Sequence, residues 1–270
     1  MRALVSPNVP LVVRVRWSWP YRSWITIATI LALWQLAWSV GAIPHTGFPS
    51  ALQTLKALWE LSTQPFAGQT LPAHIADSLT RWSLGLLLAV LVGVPFGAAL
   101  GWFPIFRALT RPIFEFLRYI PPLAWVPLTI LAFGPSLKAE VSIVFAGAIA
   151  PIVINAWTGV AGVDPILVDA GRTLGARHSS MLVTIALPAS MLSLLTGFRV
   201  AISNGWAALI GAELIGAQSG LGFIIINSQT AGRPDDILAG MLVIGAMGLV
   251  IDALFRRAAQ HATRWQGTSL

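Results

Sequence analysis

The 270-residue sequence contains no cysteine, only two lysines and few charges of either sign. The absence of cysteine excludes a disulfide framework, a thiolate metal site and a cysteine nucleophile. Charged residues make up 10% of the chain, against about 25% in soluble domains, so polar side chains are too few to cover a water-facing globule. Apolar residues make up 56%, which also excludes a disordered chain. The composition therefore predicts an all-α polytopic membrane protein, a bundle of membrane-spanning helices.

The two lysines exclude an ATPase with a phosphate-binding loop. Such a loop ends in Gly-Lys-Ser/Thr, whereas Lys56 stands in Thr-Leu-Lys-Ala and Lys138 in Ser-Leu-Lys-Ala. Membrane enzymes need acids, histidines or a nucleophile with its base at membrane depth. All four histidines are predicted in loops or tails: His45, His74, His178 and His261. We therefore predict that the chain is not an enzyme and holds no metal or cofactor of its own.

Six apolar windows are long enough to cross a bilayer whose core is about 30 Å thick. Four of them lack Asp, Glu, Lys and Arg, one contains Arg199 alone, and the last contains Asp252 near its end. They cover residues 23–43, 82–106, 119–137, 141–160, 182–212 and 237–255. The third window contains three prolines, each of which removes a backbone donor, so we predict a kinked helix that starts near Pro112.

The basic residues predict the orientation, because cytoplasmic loops carry an excess of Lys and Arg. With the N-terminus inside, eleven arginines are cytoplasmic, and four basic residues are external. Those four are Lys56, Arg81, Lys138 and Arg233. Both termini are therefore predicted in the cytoplasm, with tails over 1–22 and 256–270 and a membrane domain over 23–255. The polar segment 44–81 is predicted to be external. Apolar residues at helical spacing in it suggest a short amphipathic helix on the outer surface, but a simple connector is the favoured interpretation.

Small residues recur on one face of the second window. Gly93, Gly97 and Gly101 follow each other every four residues, which lets another backbone approach closely. This face could pack within one subunit or form an interface between subunits. The pattern favours packing within one subunit.

The cytoplasmic loop predicted over 161–181 has its own signals for the start and end of a helix. Asp164 fits the N-cap, Pro165 fits the first helical position, and Gly175 fits the stop. The helix would have about three turns, which is too short to cross the bilayer.

The helix predicted in this loop is amphipathic. Ile166, Ala170 and Leu174 share one face, and Asp169 is spaced to pair with Arg172. The apolar face needs a partner. That partner is the membrane surface, the chain's own bundle or another protein.

The same loop contains a spaced motif. It reads Asp169-Ala170-Gly171, three residues, Gly175, nine residues, and Ile185-Ala186-Leu187-Pro188. This resembles the EAA loop of binding-protein-dependent ABC import permeases, which reads Glu-Ala-Ala, three residues, Gly, nine residues, Ile, one residue, Leu-Pro. Asp169 and Gly171 depart from the pattern, and Gly171 is expected to weaken the helix by up to about 1 kcal/mol.

Further motifs extend the resemblance over most of the chain, from about 45 to 265. Pro-Pro-Leu-Ala-Trp at 121–125, Ala-Glu-Leu-Ile-Gly-Ala at 212–217 and Ser-Gly-Leu-Gly at 219–222 are similar to the nitrate, sulfonate, taurine and bicarbonate branch of these permeases. The segment Arg264-Trp265-Gln266-Gly267 also resembles the tail of taurine permeases.

The resemblance implies a half-size permease with the type I importer fold in a bacterial inner membrane. Its implied partners are a second copy of the chain, two ATPase subunits that bind ATP and magnesium, and a periplasmic or lipid-anchored solute-binding protein, with no nucleic acid. In the family the loop, here 161–188, seats in a groove of the ATPase and couples ATP hydrolysis to movement of the spans. The residues to which the resemblance assigns coupling are Asp169, Ala170, Gly171, Leu174, Gly175, Ile185, Leu187 and Pro188.

Two arginines at membrane depth are candidates for lining the route of an anion, because an unpaired charge there is costly and tends to face a cavity. Arg118 has Glu115 three residues earlier, which favours a local ion pair. Arg199 has no acid within four residues on its own helix, so it either lines the route or pairs with another span. Asn204, five residues further, is a weaker candidate on a neighbouring face.

These features predict the permease of an ATP-driven importer of a small anion, such as taurine or another alkanesulfonate, nitrate or a similar ion. The alternative is an ion-coupled secondary transporter that acts without an ATPase. Such a transporter is expected to carry an acidic residue deep in a span, whereas the acids here are predicted near span ends. A membrane scaffold is disfavoured, because a scaffold does not need three prolines in one span.

Overall fold

The computed structural model describes residues 20–44 and 47–262, and the side chains of 25–44 and 47–261. Every regular element in these ranges is helical, apart from an isolated bridge between Phe66 and Gln69. The described residues divide into two compact units between Leu52 and Gln53. The helical class predicted from the composition is confirmed.

The first unit contains α1, Pro20–Ser39. The chain beyond α1 is bonded back onto it at two places. The indole Nε1 of Trp38 donates to the carbonyl oxygen of Phe48 at 3.1 Å, and the backbone N–H of Leu52 donates to Oε1 of Gln35 at 3.2 Å. Residues 1–19 of the predicted N-terminal tail, and His45, lie outside the described residues.

α2, Ala51–Thr63, is an amphipathic helix within the polar segment 44–81, so the favoured interpretation of this stretch as a simple connector is wrong. Ala57 and Leu61 are buried on one side, whereas Trp59 on the other side is 70% exposed. The polar segment itself is shorter than predicted, because the next helix already begins at Leu71.

α3, Leu71–Trp102, extends over 32 residues. Its early start corrects two predictions, the end of the polar segment and the placement of His74 in a loop. The charged and polar residues of its first turns were read as a connector, but several of them are buried against other helices. A proline in the first turn, where an N–H has no intrahelical partner, supports the early start.

α6, Leu137–Ala161, packs along the glycine face of α3. A Cβ added to Gly93 would lie 2.8 Å from Cγ2 of Ile152, and one added to Gly97 would lie 2.7 Å from Cβ of Ala156. Because α6 occupies this face, the glycines serve packing within the subunit. The alternative of a subunit interface is wrong for this face.

α10, Met191–Gly216, completes the core with α3 and α6. Ala89, Ala148 and Ala201, one from each helix, are fully buried in one cluster. Small residues let the three backbones approach closely where the helices meet, as expected for helices packed in a membrane.

The third predicted span is broken rather than kinked. It consists of α4, Pro104–Arg118, a short 3₁₀ turn, Pro122–Trp125, and α5, Val126–Phe133, with a bend of 89° between α4 and the segment that follows. Two consecutive prolines at the break lack backbone donors, and the residue before a proline is disfavoured in a helical conformation. The prolines therefore disturb the span over 119–137, as predicted, but they break the helix instead of only kinking it.

Short elements connect α6 to α10. They are α7, Pro165–Thr173, α8, His178–Met181, a π-helical turn, Leu182–Ala186, and α9, Leu187–Ala189. We call residues 164–190 the α7–α9 segment.

Two helices follow α10. α11, Leu221–Thr230, is separated from it by a turn at 217–220, and α12, Pro234–Ala262, packs against α11. α12 continues past the predicted boundary at 255. Residues 263–270, which include the motif similar to taurine permeases, lie outside the described residues.

Four helical stretches of the described residues are long and apolar enough to cross a membrane, namely α3, α6, α10 together with α11, and α12. The bent pair of α4 and α5 would make a fifth. By the same measure, α1 is a shorter apolar helix over Ile25–Ser39. The number of six spans therefore stays a prediction.

Candidate functional site

The helix α7 starts where the sequence predicts. Asp164 caps it, because its Oδ1 accepts the backbone N–H of Ile166 at 2.9 Å and Pro165 follows at the first helical position. α7 ends at Thr173, and Gly175 adopts a φ of 79°, a left-handed conformation that side chains with a Cβ resist.

The face predicted to be apolar on α7 is not covered by the part of the chain that the structure describes. Ile166 is 72% exposed and Leu174 is 87% exposed, and Ala170 is exposed between them. On the flank of the helix, Arg172 donates to Oδ1 of Asp169 at 3.0 Å, as predicted from their spacing. The opposite face carries the contacts to the rest of the protein.

Gly171 lies on this opposite, buried face of α7. A Cβ at this position would lie 2.6 Å from Cδ1 of Ile185 and 3.1 Å from Sδ of Met181. The alanine of the EAA pattern would therefore crowd Ile185, and the glycine lets α7 lie closer to the π-helical turn. What glycine costs in helix propensity is offset by this close approach.

Leu187 and Pro188 lie in α9, directly before the first residue of α10. Together with Val94, Val183, Met191 and Leu194 they line an apolar cavity of about 430 Å³. Only Ser190 separates α9 from α10, so the end of the α7–α9 segment is adjacent to this core helix.

Arg199 has the second of its two predicted environments. Its Nε donates to Oδ1 of Asp252 on α12 at 3.1 Å, and Asp252 also pairs with Arg256 one turn further along α12. The Arg199 side chain is nevertheless 54% exposed. Asn204 is exposed on the same helix and has no contact to Arg199 among the described hydrogen bonds.

Arg118 has the local ion pair that the sequence favours. Its Nε donates to Oε2 of Glu115, and its guanidinium carbon lies 4.5 Å from the centre of the Tyr119 ring. These contacts satisfy the charge at the end of α4, so Arg118 does not need an anion as its partner.

A second site was not predicted from the sequence. Six polar side chains from α3, α6, α10 and the turn after α10 meet in the interior, and we call them the buried charge cluster. They are His74, Ser78, Arg81, Glu140, Glu213 and Ser219.

Arg81 lies at the centre of the buried charge cluster, with only 12% of its side chain exposed. Its Nε pairs with Glu140, and Nη1 donates to Oε1 of Glu213 at 3.0 Å. Nη1 also donates to the carbonyl oxygen of Ser219 and Nη2 to the Ser219 hydroxyl, both at 2.7 Å. Four contacts occupy most of the five N–H groups of a guanidinium, so Arg81 is a structural tie and has little capacity left for a ligand.

The cluster also binds the backbone of the turn that joins α10 to α11. The N–H of Gly220 donates to Nδ1 of His74 at 3.0 Å, and the N–H of Leu221 donates to the Ser78 hydroxyl at 2.9 Å. Because Nδ1 of His74 accepts, its Nε2 carries the proton and donates to the carbonyl oxygen of Phe66 at 3.1 Å. His74 thereby ties the turn to the chain before α3.

The sequence contained a partial signal for this cluster. His74, Ser78 and Arg81 are spaced by four and three residues, which places them on one face of a helix. The signal was lost because segment 71–81 was interpreted as part of a connector, and because the partners of these residues lie on other elements. These partners are Glu140 on α6 and residues 213–221, which are 132 to 146 positions away in the sequence. No spacing rule connects residues at that separation.

Comparison with known proteins adds to this geometry. The family described as binding-protein-dependent transport system inner membrane component matches residues 85–266. The chain is 33% identical over 260 residues to the taurine transport system permease protein TauC of Escherichia coli (strain K12), covering 94% of both chains. It is 30% identical to the nitrate import permease protein NrtB of Leptolyngbya laminosa, covering 85% of this chain and 83% of NrtB.

A solved structure supports the fold. A chain of the MetNI methionine ABC transporter in an inward-facing conformation superposes with a TM-score of 0.62 at 19% identity, over 71% of this chain and 95% of that chain. At this identity the likeness concerns the fold alone.

Proposed function

Because this chain belongs to the family of binding-protein-dependent transport system inner membrane components, we propose that it carries a small sulfonate such as taurine, or a similar small anion, across the bacterial inner membrane. It is a permease of an ATP-driven ABC importer and has the type I importer fold. The similarity to TauC over 94% of both chains supports a sulfonate as the first cargo to test.

The proposal includes a complex in which two copies of this chain bind two ATPase subunits on the cytoplasmic side. A solute-binding protein delivers the anion from outside. ATP and magnesium bind to the ATPase subunits, since this chain has no Gly-Lys-Ser/Thr loop. Both termini are cytoplasmic in this arrangement, which follows the excess of arginines on that side.

The observation that carries the proposal is the exposed apolar face of α7. Leu174 and Ile166 remain exposed on a capped helix whose opposite face is packed through Gly171. Two large apolar side chains exposed on a rigid helix are suited to a hydrophobic groove on a partner protein. We propose that this partner is the ATPase, and that α7 transmits its movement through the π-helical turn to α10.

The route of the anion is proposed along the exposed face of α10. Thr196, Arg199, Ser203 and Asn204 make this face polar in a helix that is otherwise apolar. Polar side chains in a membrane face a bundle interior or a water-filled cavity rather than lipid. A second copy of the chain would enclose such a cavity, with Arg199 as its cationic residue, while Arg118 is the weaker candidate because Glu115 already neutralises it.

The test uses the complete complex of permease, ATPase and binding protein, reconstituted in vesicles. Leu174→Asp places a charge on the face proposed to bind the ATPase, and Gly175→Leu forces a Cβ into a left-handed conformation. Both variants are expected to insert normally and to lose cargo-stimulated ATP hydrolysis, or to lose the bound ATPase on purification.

Arg107→Gln, in α4 and outside the α7–α9 segment, is the control, and it should retain uptake and hydrolysis. Normal uptake and normal ATP hydrolysis in both Leu174→Asp and Gly175→Leu, with the ATPase still bound, would show that α7 is not the coupling element. The cargo is tested in parallel with radiolabelled taurine and with nitrate.

A further inference from the structure

α10 joins two sites that lie at its opposite ends. Its first residue, Met191, follows the α7–α9 segment directly, and Glu213, in its last turn, belongs to the buried charge cluster. With 26 residues and a rise of 1.5 Å per residue, α10 spans about 39 Å. α10 is therefore one direct path by which a movement that enters at α7 reaches the external half of the protein.

The carboxylate of Glu213 fixes the far end of α10 to two other helices. Oε1 accepts the hydroxyl of Ser78 at 2.7 Å and Nη1 of Arg81 at 3.0 Å, both on α3. Oε2 accepts the backbone N–H of Gly222 in the first turn of α11 at 2.8 Å. The first N–H groups of a helix have no partner within it, so Glu213 and Ser78 act as caps for α11.

The packing of this turn leaves little room for it to move. Gly220 has a φ of 110°, and a Cβ there would overlap the Glu213 carboxylate. A Cβ on Gly222 would lie 2.6 Å from Cβ of Glu213. Only glycine lets the backbone of the turn lie directly on the carboxylate that holds it.

The charges of the cluster are not balanced by Arg81 alone. Glu140 and Glu213 carry two carboxylates that are 9% and 0% exposed, and Arg81 supplies one positive charge. The N-terminus of α11 contributes a partial positive charge of about half a unit next to Glu213. Removal of charges from water is costly, and buried ion pairs add little net stability but can specify one arrangement.

We propose that Arg81 and Glu213 are positioning residues that anchor the external end of α10, so that the external ends of α3, α6 and α10 move as one body during transport. The proposal rests on the proposed function, in which α7 receives the movement of the ATPase. Without the anchor, α10 can pivot at the break at 217–220, and movement that enters at Met191 is lost there. ATP hydrolysis then continues without a proportionate uptake of cargo.

The decisive quantity is therefore the number of cargo molecules taken up per ATP hydrolysed, measured in the reconstituted complex. Glu213→Gln retains the shape and an acceptor oxygen but removes the charge that Arg81 binds. We expect uptake per ATP to fall by about 2- to 30-fold, the range of effects seen when residues along a coupling path are changed. Cargo-stimulated ATP hydrolysis and the yield of the assembled complex should stay at wild-type values.

Ser142→Ala is the matched control, because the hydroxyl of Ser142 on α6 bonds only within its own helix, to the carbonyl oxygen of Lys138 at 2.7 Å. It should leave uptake per ATP unchanged. Radiolabelled taurine is the probe, with nitrate in its place should the wild type not take up taurine.

Two results would overturn the proposal. One is an unchanged uptake per ATP in Glu213→Gln, and the other is a parallel fall of uptake and hydrolysis, which is expected of a residue needed only for folding. If the Glu213→Gln complex cannot be purified, Ser78→Ala is measured in the same way, because its hydroxyl bridges Glu213 and the N–H of Leu221. An unchanged ratio in Ser78→Ala then overturns the proposal.

The outcome is separable from that for α7. Leu174→Asp is expected to abolish stimulated hydrolysis, whereas Glu213→Gln is expected to preserve it. If Leu174→Asp behaves as the wild type while Glu213→Gln lowers uptake per ATP, the positioning role of Arg81 and Glu213 is supported. In that case the movement does not enter the protein at α7.

Discussion

Three arginines of the described helices have three different environments. Arg81 is buried between two carboxylates, Arg118 pairs with Glu115 one turn earlier, and Arg199 reaches Asp252 on another helix. The sequence favours the second of these, because an ion pair at three-residue spacing needs no knowledge of the fold, and it gives pairing with another span as one of two alternatives for Arg199. The other two depend on which helices become neighbours.

Arg199 is the arginine whose environment leaves room for an anion. Its contact to Asp252 uses Nε, its side chain is 54% exposed, and Asp252 keeps Arg256 as a second partner. If an anion approached, Arg199 could therefore be drawn from Asp252 without leaving that carboxylate unpaired. This favours a role in transport over a purely structural ion pair.

Arg199→Leu should therefore lower uptake by about tenfold or more, since hydrogen bonds to a charged group contribute about 1.5–3 kcal/mol. Asp252→Asn is the matched variant, because it removes the ion pair but retains the guanidinium. The uptake rate should be lower in Arg199→Leu than in Asp252→Asn, which should be close to the wild type. Both variant permeases should still assemble with the ATPase. Equal losses in the two variants would assign the pair a structural role and remove the intramembrane support for an anionic cargo.

At the scale of elements, local signals predicted α7 correctly and missed the break between α10 and α11. The cap of Asp164, the proline after it and the glycine stop at Gly175 all lie within one short stretch of the sequence, so the sequence is sufficient to place α7. The start of α3 and the turn at 217–220 are fixed by the buried charge cluster instead. The contacts of its α3 residues with residues 213–221 join positions more than 130 apart in the sequence, and no local periodicity predicts such contacts.

The glycine face of α3 offers a direct test of helix packing. In Gly97→Ala, the new methyl group would lie 2.7 Å from Cβ of Ala156 on α6, closer than two such carbons approach in real structures. We expect a loss of about 1–3 kcal/mol, the usual cost of overpacking. The loss should appear as a lower thermal midpoint of the purified protein in detergent.

The control is the same substitution at Gly245 on α12, where an added Cβ meets nothing within 4 Å. Because alanine is the better helix former, Gly245→Ala should leave stability unchanged or raise it by up to about 1 kcal/mol. A thermal midpoint lowered equally by both substitutions would contradict the packing of α6 against α3.

At the scale of the whole molecule, the composition and the spaced EAA motif were sufficient for the class and the family. A membrane interior requires backbone groups to be satisfied within the chain, which leaves helices as the regular elements of a chain this apolar. The order in which these helices pack does not follow from that requirement. It depends on shape, such as the glycines of α3 against α6, and on buried contacts between helices distant in sequence.

The distribution of basic residues alone predicts the orientation of the molecule in the membrane. Eleven arginines fall on the side of the N-terminus and four basic residues on the other, and the lower number marks the external side. A reporter fused after Leu270 and one inserted near Arg177, in the α7–α9 segment, should both report a cytoplasmic position. A reporter near Gln64, after α2, should report an external one. The proposed coupling role requires α7 to meet an ATPase in the cytoplasm. An external signal at Arg177 would therefore refute both the topology and that role, whereas a wrong signal at Gln64 alone would refute the six-span count.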